Sequence, residues 1–166
     1  INEACDFFER ILGGVTLYTA ATNFRVDDSD WMTKHLHVHP RSVITEFRYM
    51  RIGNGTNLEI FEYVAPDQAN TPPKNSDIGG HHLAFYVDDM DAAIQFLKDN
   101  DVEILGEPTA YDDGPNIGLT WCYFMAPWGL QLEIVSAPNG TDFDNAAKAN
   151  GEMRLFNPAH ASETLI

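Results

Sequence analysis

Apolar positions recur at helical spacing over residues 2–12. Ala4, Phe7, Phe8, Ile11 and Leu12 share one face there, and Gly13-Gly14 follows as a stop. Val15 to Thr22 then reads as a strand. Residues 23–40 break the pattern; they are polar and carry Trp31 and three histidines. Ser42 to Ile52 and Thr56 to Val64 read as strands joined at Gly53-Asn54-Gly55, a hairpin signal. Residues 67–80 are punctuated by proline and glycine and read as a linker. Leu83 to Val87 is the next strand, and Asp91 to Asn100 a helix capped by Asp88 or Asp89. Val102 to Leu105, Trp121 to Met125 and Gln131 to Val135 complete the strands. Residues 137–166 show weak periodicity and read as an extension over the surface or a partner.

This order contains a repeat. Residues 82–97 run from a strand opening at His82 into a helix, and residues 1–8 match only the second half of that string. Ile1 falls on Met90, Ala4 on Ala93, Phe7 on Phe96 and Phe8 on Leu97. The copies also close alike, on Asn57-Leu58-Glu59-Ile60-Phe61 and on Leu130-Gln131-Leu132-Glu133-Ile134-Val135. The first copy is then longer by about 15 residues, a change that surface loops tolerate. The reading is an α+β chain of two sequential βαβββ modules, residues 1–66 and 81–136. The insertion at 23–40 lies in the first module, the linker is 67–80, and 137–166 is a C-terminal extension. The first module lacks its opening strand, so about ten further residues with an apolar strand and a histidine are expected ahead of Ile1.

Composition narrows the partners. A chain of 166 residues with 44% hydrophobic residues and ten Phe can bury a core. A net charge of −15 argues against nucleic acid and anionic membrane surfaces, both of which are met through clustered Lys and Arg. No apolar run approaches membrane-spanning length. Cys5 and Cys122 form no CxxC pair, and a reduced, cytoplasmic chain is the simplest account. Open sheet edges left by each module need a cover, so a homodimer is expected.

Two strings carry a resemblance. Gly79-Gly80-His81-His82-Leu-Ala-Phe-Tyr-Val-Asp-Asp-Met-Asp-Ala-Ala and Ala126-Pro127-Trp128-Gly129-Leu130-Gln131-Leu132-Glu133 are similar to the second-module opening and the closing strand of the vicinal oxygen chelate superfamily. That superfamily includes glyoxalase I, methylmalonyl-CoA epimerase, bleomycin- and fosfomycin-resistance proteins and extradiol dioxygenases. The resemblance implies an open, barrel-like cleft with one divalent ion. It implies His82, Glu59 and Glu133 as metal ligands, with a fourth, histidine ligand ahead of Ile1. Imidazole with carboxylates suits Zn, Ni, Co, Mn or Fe without choosing among them. Glu62 rivals Glu59, but Leu-Glu-Ile-Phe mirrors Leu-Glu-Ile-Val and favours Glu59. His81 points to the opposite face from His82.

The resemblance also implies the chemistry. A metal-polarised carbonyl acidifies a neighbouring C–H, and Glu133 removes and returns the proton through a metal-stabilised enediolate. Glu46 is a loose match to a second catalytic carboxylate. Arg48 and Arg51, on one strand, are candidates to clamp a substrate carboxylate or phosphate. His35-Leu36-His37-Val38-His39 alternates as a strand does and would put three imidazoles on one face, a set that can bind zinc. It lies in the insertion, which favours surface or substrate-loop histidines. The expected function is a metal-dependent isomerase or lyase, glyoxalase I-like or methylmalonyl-CoA epimerase-like, acting on a small carbonyl or thioester substrate. The alternatives are an Fe(II) extradiol-type dioxygenase and a non-catalytic, bleomycin-resistance-like binding protein.

Overall fold

A computed structural model of the chain describes residues 1–24, 30–53, 56–152 and 154–155. It divides into two units, Ile1–Pro72 and Pro73–Ile166. The architecture is mixed α+β with two open sheets, as the sequence pattern predicts.

The first unit opens with helix α1 (Asn2–Leu12), which buries Cys5, Phe7, Phe8 and Ile11. Each such side chain taken from water contributes about 1.5–3 kcal/mol. Gly13 ends the helix at φ 64°, a left-handed conformation that costs glycine nothing. Strands β1 (Val15–Phe24), β2 (Val43–Ile52) and β3 (Thr56–Val64) follow as an antiparallel sheet in that order. Between β1 and β2 lies the short helix α2 (Trp31–Leu36), whose Met32 is fully buried.

The second unit runs β4 (Leu83–Tyr86), α3 (Met90–Asp99), β5 (Ile104–Ala110), β6 (Thr120–Met125), β7 (Gln131–Ser136) and α4 (Asp142–Asn150). Its sheet order is β4-β7-β6-β5, with β4 parallel to β7 and the other pairs antiparallel. Asp89 caps α3 by accepting the Ala92 N–H at 2.9 Å, which decides between the two candidate caps. Ile94 and Leu97 bury the inner face of α3. Pro108 sits inside β5, where a central strand would reject it. β5 is an edge strand and its register slips between Leu105 and Thr109, so the missing N–H costs no ladder bond.

The internal repeat extends to register. Tyr49 faces Glu59 across β2 and β3, and Tyr123 faces Glu133 across β6 and β7. One residue on, Met50 and Phe124 are both fully buried. Strand alternation therefore puts both tyrosine–glutamate pairs on the sheet face opposite the buried residues. The repeat is looser on the helices. Phe8 and Leu97 are both buried, but Phe7 is buried while Phe96 is 44% exposed.

Two expectations are corrected. Residues 35–39 are not a strand. His35 belongs to α2 and stacks on Trp31, ring centroids 4.5 Å apart. His37 caps that helix at φ 53°. The His39 Nδ1 accepts the Arg41 N–H at 3.0 Å. The three imidazoles thus have three separate local roles. Asp30 and Lys34, paired at 2.9 Å one helical turn apart, support the helix against the alternating pattern. The second is the segment 137–166, read as an extension of weak periodicity, which contains the regular helix α4. Thr141 caps it by accepting the Asp144 N–H, and Gly151 ends it in the left-handed conformation. The Gly53-Asn54-Gly55 turn lies partly outside the described residues, but Gly53 has a positive φ of 55°.

Candidate active site

Position fixes the chemistry of the second unit's open face. Glu133 lies mid-strand in β7, flanked by buried Leu132 and Ile134, so its carboxylate projects to the other face. His82 directly precedes β4, the parallel neighbour of β7. That pairing brings His82 Nε2 to 3.0 Å from Glu133 Oε2, with both side chains largely shielded, 31% and 13% exposed. Tyr123, opposite Glu133, sets its ring edge-on to the imidazole at 5.1 Å. Burial first, then the Glu133 charge and Tyr111, push the Tyr123 phenol up, so its hydroxyl keeps its proton through neutral pH. Trp121 packs on Tyr123 at 5.0 Å, and its buried Nε1–H has no hydrogen-bond partner among the described residues.

An imidazole nitrogen and a carboxylate oxygen held this close are a donor pair suited to a divalent transition ion. The second imidazole nitrogen also has a partner, since His82 Nδ1 lies within 3.3 Å of the Asn75 amide. Among the described residues, no group of three or more His, Cys, Asp or Glu side chains gathers at one point.

The first unit carries the matching position. Glu59 lies beside Tyr49, and its hydrogen bond to the Tyr49 hydroxyl raises that phenol above the usual range. Tyr18, Phe47, Phe61 and Tyr63 continue an aromatic surface from there, with neighbouring rings about 6 Å apart. Glu62 lies on the opposite face, where its Oε1 is 3.4 Å from the Ile1 nitrogen.

Glu46 and Arg48 also face away from Glu59, toward α1. Arg48 Nε donates to Glu46 Oε1 at 2.6 Å, and its Nη2 donates to Asn2 of the helix. Both are engaged in joining helix to sheet. Arg51 alternates back to the Tyr49 face, where its Nε donates to the Gly53 carbonyl at 2.9 Å. The structure therefore brings His82 and Glu133 together and separates Glu46 and Arg48 from Glu59 within one sheet. Sequence reasoning passed over Tyr123, Tyr49 and Asn75. The recurring ten-residue spacing from Tyr49 to Glu59 and from Tyr123 to Glu133 was the signal for the tyrosines. Both cysteines are free and buried, and burial pushes both thiols up, so neither is a ready nucleophile.

Comparison with known proteins shows the family. Residues 1–123 match the family described as the glyoxalase/bleomycin resistance protein/dioxygenase superfamily. A 2-epi-5-epi-valiolone epimerase of an Actinomyces species is 41% identical over 159 residues, 95% of this chain and 82% of that protein. Among solved structures, a glyoxalase family protein from Bacillus cereus has a TM-score of 0.60 at 19% identity, covering 82% of this chain and 85% of that one. One from Enterococcus faecalis has a TM-score of 0.54 at 22% identity, covering 82% and 88%. With a family model spanning most of its length and a relative this similar, the chain belongs to the glyoxalase/bleomycin resistance protein/dioxygenase superfamily.

Proposed function

We propose that this chain is an epimerase of a small polyhydroxylated ketone of the valiolone type, inverting a carbon next to the carbonyl. The observation that carries the reading is the 41% identity to a 2-epi-5-epi-valiolone epimerase over 95% of the chain. That likeness supports an isomerase-type activity over the extradiol-type dioxygenase and non-catalytic binding alternatives. The His82–Glu133 pair supports it chemically, because inversion at such a carbon needs a base.

In the proposal Glu133 takes the proton from one face of the carbon, leaving an enediolate; a proton from solvent adds to the other face, and Glu133 releases its own proton to solvent. His82, 3.0 Å away, orients that carboxylate. The protonated Tyr123 hydroxyl is a donor for a substrate oxygen. His82 and Glu133 would be the pair that holds one divalent ion. Glu59 holds the matching position in the first unit's own sheet, opposite Tyr49. Such an ion, when bound, supplies positive charge to a carbonyl oxygen and makes the neighbouring C–H more acidic.

The test is incubation with 2-epi-5-epi-valiolone in D2O, followed by NMR. Epimerisation with one deuterium gained at the inverted carbon is the expected result. Absence of both inversion and exchange with added divalent metal would reject the reading. Turnover of a hemithioacetal or acyl-CoA substrate instead would reassign the reaction.

A further inference from the structure

The segment ahead of β4 is built as a support for His82. The Lys74 N–H donates to Asp77 Oδ2 at 2.8 Å, the Asp77 N–H to the Lys74 carbonyl at 2.9 Å, and the Gly80 N–H to the Asp77 carbonyl at 2.8 Å. These bonds fold residues 74–80 back on themselves. The fold is tight at Gly80, where any Cβ would collide with the Lys74 carbonyl and the Asn75 backbone. The consequence is placement: Asn75 meets an imidazole seven residues further on, with Nδ2 3.2 Å and Oδ1 3.3 Å from His82 Nδ1.

An amide is the side chain that suits this position for a stated reason. A neutral imidazole carries its proton on one nitrogen and accepts on the other. When Nε2–H donates to Glu133, Nδ1 is an acceptor and takes the Asn75 Nδ2–H. When Nε2 must present a lone pair, the proton sits on Nδ1 and Asn75 Oδ1 accepts it. Asn75 serves both forms, because either end of its amide reaches Nδ1 with little movement. A hydroxyl would do so with less reach, and a carboxylate would serve only the second form.

We infer that Asn75 is the positioning residue of the site, holding His82 Nε2 toward Glu133 and partnering Nδ1 in either tautomer. This rests on the reading of His82 and Glu133 as an ion-binding, proton-handling pair. Outer partners of a ligating histidine are typically worth 10–100-fold in metal affinity.

The experiment uses the full chain and Zn²⁺ alone, titrated calorimetrically, with ¹⁵N imidazole NMR of the metal-free protein alongside. Asn75→Ala should weaken Zn²⁺ binding 10–100-fold, and Asn75→Asp should restore it to within a few-fold, since a carboxylate supports the ligating tautomer. In metal-free Asn75→Ala, the His82 Nδ1 resonance should move toward that of an unbonded imine nitrogen. Unchanged Zn²⁺ affinity in Asn75→Ala, with the parent binding tightly, would overturn the inference and leave the site reading intact. A parent that binds no Zn²⁺ would count against the ion-binding reading. The NMR then decides the role of Asn75 alone, and a His82 Nδ1 resonance unmoved by Asn75→Ala overturns it.

Discussion

At the scale of single residues, the proposed chemistry rests on Glu133 and its neighbours. A carboxylate inside an apolar strand is costly to bury without a partner, and His82 at 3.0 Å supplies one. Glu133→Gln keeps the shape and removes the base, so turnover should fall by roughly 10²–10⁴-fold, as for loss of a general base. Solvent deuterium exchange at the substrate carbon should fall with it, while circular dichroism stays that of the parent. Exchange at the parental rate would remove Glu133 from the mechanism. Tyr123→Phe deletes one hydroxyl from the same face. About tenfold lower kcat is expected, the equivalent of roughly 1.4 kcal/mol. A kcat equal to the parent's would make Tyr123 a packing residue only. The resemblance of their flanking strings to the vicinal oxygen chelate superfamily singled out His82 and Glu133, and the fold brings the two together. Asn75 was not legible in the sequence, since no local pattern tells which loop side chain a folded turn will carry back to a histidine.

At the scale of elements, α4 shows where pattern reading fell short. Its apolar periodicity is weak; backbone bonds from Asp142 to Ile117 and from Phe143 to Pro115 tie its start to the segment before β6, and Asp144 ties it to the chain that follows. Arg154 donates to Asp144 Oδ2 at 2.6 and 3.0 Å, and the Leu155 N–H donates to Oδ1 at 2.9 Å. Burial alone would push this carboxyl up. The hydrogen bonds from Arg154 and Leu155 and the Arg154 charge outweigh burial and hold it below the ordinary carboxylate range. A carboxyl depressed in the folded state binds protons less readily than in the unfolded chain. Its contribution is therefore complete above the ordinary aspartate range and is lost as pH falls through the depressed folded value. Asp144→Asn should cost about 1–3 kcal/mol, the penalty for leaving buried partners unsatisfied. Amide exchange across residues 142–150 reads this directly, and the difference from the parent should shrink in acid. Equal protection at neutral pH would show that Asp144 does not hold the helix. The cap was legible in hindsight, with Thr141 ahead of the helix and Gly151 after it. α2 failed in the opposite sense. Alternating histidines read as a strand, but the Asp30–Lys34 pair and the Trp31–His35 stack are helical contacts.

At the scale of the whole molecule, the two sheets follow from sequence because strand alternation and repeat agree. Each sheet is open, and an open edge with apolar side chains is a liability that proteins cover. Val15, Leu17 and Tyr18 on edge strand β1 are 58%, 59% and 56% exposed, more than isolated surface residues account for. Against association stands the charge. Each copy carries −15, so two copies repel at low ionic strength. Screening shortens the reach of that repulsion from about 30 Å at 0.01 M salt to about 8 Å at 0.15 M. Apolar contact is not screened. A homodimer that tightens as salt rises is therefore expected, read by light scattering at two salt concentrations. Leu17→Glu places a charge on the apolar edge and should yield monomer at both. Monomeric parent at both concentrations would show that the β1 surface is not an interface. A dimer unmoved by Leu17→Glu would place the contact on another edge.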